Sequence, residues 1–96
     1  MIKSIDKSPE MMVIARRLMW SEEPGDALEM PSLFLAHVMV NGLLEDVLKV
    51  EEAVGIEAFA DVLRSAPAGV FDPRSWSYWH LKCGLWPPPP LPERCF

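Results

Sequence analysis

The chain has 96 residues, half of them apolar and 24% charged, with nine Lys or Arg against fourteen Asp or Glu for a net charge of −5. That length makes one domain, which buries roughly 60–65% of the surface its unfolded form exposes. The composition is that of a globular chain rather than a disordered one, and no apolar run approaches the roughly 18–20 residues of a membrane span.

Residues 1–7 contain charges and no apolar stretch of the kind that marks a secretory leader, so the expected location is the cytosol. Ser8-Pro9-Glu10 reads as a helix start: a capping hydroxyl, a proline for the first turn, and an acid for the positive end of the dipole. Met11, Ile14, Ala15 and Leu18 then recur at helical spacing, with Met12 and Met19 widening the stripe and Arg16-Arg17 on the far side. Residues 21–25 end this helix on a Pro-Gly pair. A single turn over residues 26–30 is broken by Pro31, and Ser32 is expected to cap the next helix through Val40, with Phe34, Leu35, Val38 and Met39 on one face. Asn41-Gly42 stops it.

Leu43, Leu44, Val47, Leu48, Val50 and Val54 form the apolar face of another helix, closed by Gly55. Ile56, Phe59, Ala60 and Leu63 make the clearest amphipathic pattern in the chain, and the two short helices joined at Gly55 should fold into a helical hairpin. Asp72-Pro73 caps a further helix over residues 74–83. Trp76, Trp79, His80 and Cys83 share one of its faces; Tyr78, Leu81 and Lys82 lie on another.

From Trp86 the character changes: five of the ten prolines fall between positions 86 and 92. Proline cannot sit inside a helix and joins a sheet only at an edge, so this tail is expected to be extended polyproline II. The expected architecture is all-α: a compact bundle of four to five short helices over residues 1–85, followed by the extended tail over residues 86–96.

Candidate chemistry is sparse. His80 and Cys83 are three apart on one face, with His37 and Cys95 elsewhere, but the paired cysteine spacing of a zinc site is absent. No orienting carboxylate or oxyanion loop accompanies a Cys83–His80 pair, so neither a metal nor a cofactor is expected, and no enzymatic activity. Glu45-Asp46 and Glu51-Glu52 read as solvated helix faces. Arg16-Arg17 reads as facing water rather than a phosphate. Two cysteines, Cys83 and Cys95, are too few for a disulfide scaffold.

Binding surfaces carry more information. Residues 22–61 hold ten acids and one base, Lys49, whereas the rest of the chain is net positive. Phosphate backbones are bound through Lys and Arg, so this segment is a poor nucleic-acid surface and a basic protein surface suits it better. In the tail, Pro89-Pro90-Leu91-Pro92-Glu93-Arg94 matches the P-x-x-P-x-R pattern, and an extended segment costs little ordering entropy on docking. Trp86, Pro89, Leu91, Pro92, Arg94 and Phe96 are therefore candidate partner contacts, unless the tail packs on its own body. Trp76 and Trp79 join them as candidate interface anchors, against a plain role in the core.

Three stretches carry a family resemblance: Phe34-Leu-Ala-His-Val-Met-Val-Asn-Gly42, Ile56-Glu-Ala-Phe-Ala-Asp-Val-Leu-Arg-Ser-Ala-Pro67, and Phe71-Asp-Pro-Arg-Ser-Trp-Ser-Tyr-Trp-His-Leu81. Together with the closing Pro-Pro-Leu-Pro-Glu-Arg they resemble small bacterial proteins encoded beside nucleotidyltransferase toxins of the AbiEii class. The resemblance covers residues 26–96, and the four-proline run and Trp86 depart from it. It implies a non-enzymatic antitoxin that masks a transferase partner sterically and electrostatically. The competing reading is a DNA-binding transcriptional regulator with a helix-turn-helix-like core between Ser32 and Ser65; Lys49 and Arg64 are its only cations there.

Overall fold

The computed structural model describes residues 5–66 and 69–91. Among them the chain forms six helices and no strand: α1 (Pro9–Leu18), α2 (Pro24–Leu28), α3 (Pro31–Asn41), α4 (Leu44–Val54), α5 (Ile56–Arg64) and α6 (Pro73–Lys82). This is the expected all-α bundle, with one helix more than the four to five expected because the turn before Pro31 closes into α2. Within the described residues, no helix is long and apolar enough to cross a membrane.

Four of the six helices begin on a proline: Pro9, Pro24, Pro31 and Pro73. The first turn has no intrahelical partner for its N–H groups, so the missing proline donor costs nothing there. Pro24 and Pro31 were expected to interrupt; they start α2 and α3 instead. Ser32 accordingly lies inside α3, and Met30 is the residue before its first turn. Ser8 and Asp72 cap α1 and α6 as their sequence positions suggest, accepting from the amides of Met11 and Ser75.

α3 is the axis of the fold and packs against each of the other five helices. Its sequence explains this: it carries no Asp, Glu, Lys or Arg, and Phe34, Leu35, Ala36, Val38 and Met39 are all buried. A helix apolar on every side has to be surrounded. α1 contributes Met11, Ile14 and Ala15 to the core, α5 contributes Phe59, Val62 and Leu63, and α6 contributes Trp76 and Trp79. Burying each of the larger of these side chains stabilises the fold by about 1.5–3 kcal/mol, and the Ala15 methyl by less. Ile5 is buried in the same core, its amide donating to the Leu28 carbonyl at the end of α2 at 2.8 Å.

The α4 face is divided. Val47 and Val50 are buried, whereas Leu43, Leu44 and Leu48 are 58%, 72% and 51% exposed. The apolar stripe is wider than the space α3 and α5 can cover, so half of it is left at the surface.

Asp46 is a second departure. It is 4% exposed rather than solvated, and its Oδ2 accepts both the Leu43 amide at the start of α4 and the guanidinium of Arg17 from α1. Burial pushes this carboxyl up. The bonds from Arg17 and Leu43, with the charges of Arg17 and Lys49, outweigh that and hold it below the ordinary carboxylate range. Arg17 is therefore a cross-helix tie, not a free surface cation.

α6 ends on a Schellman motif. The Leu85 amide donates to His80 O at 2.8 Å and the Gly84 amide to Leu81 O at 3.2 Å. Gly84 takes φ +74°, a conformation that side chains rarely adopt. This turn directs the proline-rich segment back across the body.

Candidate functional site

The sequence singled out eight partner contacts, and five of them lie in the described residues. Trp76 and Trp79 are 4% and 2% exposed, so they are core side chains and not accessible interface anchors. Their polar atoms explain why both are fixed inside. The Trp79 indole N–H donates to the Met39 carbonyl at 2.8 Å. Met39 O is one of the last carbonyls of α3, left without a helical donor because Leu43 gives its amide to Asp46. Trp79 thus closes the end of α3 while its ring stacks against Phe59, centroids 5.0 Å apart.

The Trp76 indole N–H donates to Pro89 O at 2.8 Å. Its ring meets Phe71 edge-on, and His80 lies 4.3 Å from it between centroids. His80 is buried, with Nδ1 at 2.7 Å from the Trp76 carbonyl. That bond and the burial of the ring tie up the histidine. Burial also pushes the neighbouring Cys83 thiol up, away from the reactive thiolate. Among the described residues, no three His, Cys, Asp or Glu side chains gather as metal ligands would.

The tail packs on its own body as far as residue 91. Pro89 is held through its carbonyl by Trp76, and Leu91 is half-buried against the core. Together with Leu63, Arg64, His80 and Leu85, Pro89 walls a cleft of about 230 Å³. Trp86 remains 57% exposed. Pro92, Arg94 and Phe96, and with them the P-x-x-P-x-R match, lie outside the described residues, as does Cys95.

Two open features were not read from the sequence. The first is a groove of about 260 Å³ between α4 and α6, walled by Leu44, Val47, Arg74 and Tyr78 and backed by Met39 and Trp79. α4 and α6 both pack on α3 without packing on each other, which leaves the channel between them. Leu44 on one shoulder and Tyr78 on the other are more than half exposed, as are Leu48 and Leu81 one turn further along the same helices. The α6 shoulder was visible in the sequence as a second aromatic face. The α4 shoulder was not, because periodicity cannot say which part of an apolar stripe a neighbour covers.

The second is a recess of about 170 Å³ where α1 ends, formed by Leu18, Met19, Trp20, Ser21 and Glu22 with Leu33 and His37 of α3. Trp20 is 84% exposed. His37 Nδ1 is enclosed and has no hydrogen-bond partner among the described residues. An unpaired buried polar atom costs about 1–3 kcal/mol. The only sequence sign of this place was a tryptophan immediately before the polar turn Ser21-Glu22-Glu23.

Fold and surface together define a small all-α bundle built on one central apolar helix, with uncovered apolar side chains on two of its sides. No family model matches the chain, and no curated protein or solved structure matches it either.

Proposed function

We propose that this chain is a non-enzymatic partner protein, the antitoxin half of a pair with an AbiEii-type nucleotidyltransferase, and that it works by covering its partner's surface. The observation that carries the partner reading is the uncovered α4–α6 surface. Leu43, Leu44, Leu48, Tyr78 and Leu81 are each more than half exposed. Leu44 and Tyr78 line one groove, and exposed apolar surface gathered at a groove marks docking sites on small soluble proteins. The transferase assignment rests on the resemblance carried by the stretches at residues 34–42, 56–67 and 71–81.

The mechanism is steric and electrostatic. Transferases of nucleotides handle anionic substrates and present cationic surface to them. Glu22, Glu23, Asp26, Glu45, Glu52 and Glu57 are exposed on the α1–α2 turn, α2, α4 and α5, and they can occupy such a surface in the substrate's place. The same acids weigh against the DNA-binding alternative, since they repel phosphates; Arg64 is already paired with Asp61 at 2.9 Å.

Co-expression with the neighbouring transferase tests the proposal. The expected result is co-elution of the two chains and relief of growth arrest, both lost in a Leu44→Asp, Leu48→Asp double variant that still folds. Separate elution together with unrelieved arrest rejects it. A gel shift at low salt tests the alternative, and the absence of a complex there removes it.

A further inference from the structure

The two walls of the α4–α6 groove carry opposite charge. On α4, Leu44, Leu48 and Glu52 stand at i, i+4 and i+8, one stripe along the helix, and all three are exposed. On α6, Arg74, Tyr78 and Lys82 stand at the same spacing and are exposed too. Glu45 and Glu51 flank the α4 stripe, whereas α6 contains no acid. Lys49, the one base of α4, sits on the side of Asp46, which faces α1 and not the groove.

The two helices run side by side in one direction. Leu44 and Val47 wall the groove together with Arg74, Ser75 and Tyr78, so the helix starts are level. At the other end the Cys83 thiol, pushed up first by burial, is pushed further by the charges of Glu57 and Glu51. Residue 44 is thus level with 74, residue 48 with 78, and residue 52 with 82.

A partner that is basic throughout would be repelled by Arg74 and Lys82, and one that is acidic throughout by Glu45, Glu51 and Glu52. What suits both walls is a surface with an acidic apolar ridge beside a basic apolar ridge at the same spacing. This chain carries such a surface itself. We propose that the α4–α6 face is the interface of a homodimer, in which the acidic ridge of each copy packs on the basic ridge of the other. Half a turn about the long axis of the groove brings α4 of one copy over α6 of the other and keeps every residue at its own level. Leu48 of one copy lies against Tyr78 of the other, Glu52 meets Lys82, and Leu44 covers the stem of Arg74. Each contact is made twice, as a two-fold axis requires. Half a turn about an axis across the groove would instead set α4 on α4 and α6 on α6, with like charges together.

The face is small, since the 11 residues of α4 span about 16 Å. A standard interface covers about 800 Å² on each partner, and this one falls short of it, so the dimer is weak and forms at about 100 μM. A transferase docking on the same face would have to part the two copies.

Sedimentation velocity of the full chain over a concentration series reads the dimer directly. The mass should rise with concentration towards twice the 10.9 kDa of one chain and stop there. Glu52→Lys and Lys82→Glu should each weaken the dimer about tenfold, because each change turns two attractions into two repulsions. The double variant restores opposite charges and should dimerise within about threefold of the unaltered chain. Both side chains are exposed, and far-UV circular dichroism checks that the variants fold. A chain that stays monomeric at every concentration overturns the proposal, and so does growth past two copies. A dimer indifferent to the single reversals, strengthened by one of them, or not rescued in the double variant overturns it as well. The antitoxin role stands or falls separately: a dimer without a transferase complex keeps this interface and removes that role, and a transferase complex made by a strictly monomeric chain does the reverse.

Discussion

Trp79 and Trp20 sit at opposite extremes of the same molecule. Trp79 is 2% exposed and Trp20 is 84% exposed. Around Trp79 the polar groups are matched: its indole closes the α3 carboxyl end, Trp76 holds Pro89, and His80 meets the Trp76 carbonyl. Around Trp20 an aromatic ring is left to solvent and a histidine nitrogen is left without a described partner. One region spends its aromatic surface on cohesion; the other leaves it available. Residue type alone therefore says little about role here, and the state of the neighbouring polar atoms says much more.

The contrast can be broken at its closed end first. Trp79→Ala should lower stability by about 3–5 kcal/mol, since it empties a core site and strands the Met39 carbonyl; urea denaturation measures it. A loss below about 1 kcal/mol would mean that Trp79 does not close the end of α3 as its bond to Met39 O indicates. Asp46→Asn should cost about 1–2 kcal/mol, because Arg17 loses its charged partner while the Leu43 amide can keep an acceptor.

Asp46 also gives the closed part of the molecule its pH dependence. Its folded pKa is depressed, as is that of Asp72, which is held down by its bonds from Ser75. Each carboxylate stabilises the fold fully above its unfolded value of about 3.9, and that contribution is lost as pH falls through the lower folded value. Acid titration of the melting temperature should therefore show a decline below about pH 4 that is shallower in Asp46→Asn.

Smaller effects sharpen the comparison. Trp76→Phe should cost about 1 kcal/mol and leave Pro89 O without its donor; exchange of the Leu85, Trp86 and Leu91 amides, the N–H groups that flank the four prolines, should speed up if that bond anchors the tail. Trp20→Ala should change stability by no more than about 0.5 kcal/mol, as an exposed side chain should. If Trp20→Ala instead unfolds the chain, the division between a cohesive and an available region fails.

Much of the fold was legible because local rules and tertiary packing agree. Ser8-Pro9 and Asp72-Pro73 start helices as their chemistry dictates. The stripe of Met11, Ile14 and Ala15 and that of Phe59 and Leu63 are buried as their spacing indicates. Where the reading slipped, the same residue had two local meanings. Pro24 and Pro31 can end one helix or begin another, and the choice depends on whether the next segment has a neighbour to pack on. The candidate site was less legible still. Trp76 and Trp79 looked like anchors because aromatic helices serve interfaces and cores alike. The Arg17–Asp46 tie joins residues from two helices that no local spacing relates.

By itself, the sequence determined the all-α class, the helix faces and the change of character at Trp86, since these follow from periodicity, capping and proline chemistry within a few residues. Only the tertiary structure decided which apolar faces are covered. The charge-free α3 draws the other five helices around itself, and their placement leaves α4 and α6 apart and Trp20 outside. Burial depends on contacts between segments distant in the chain, and a pattern confined to one helix carries no record of them.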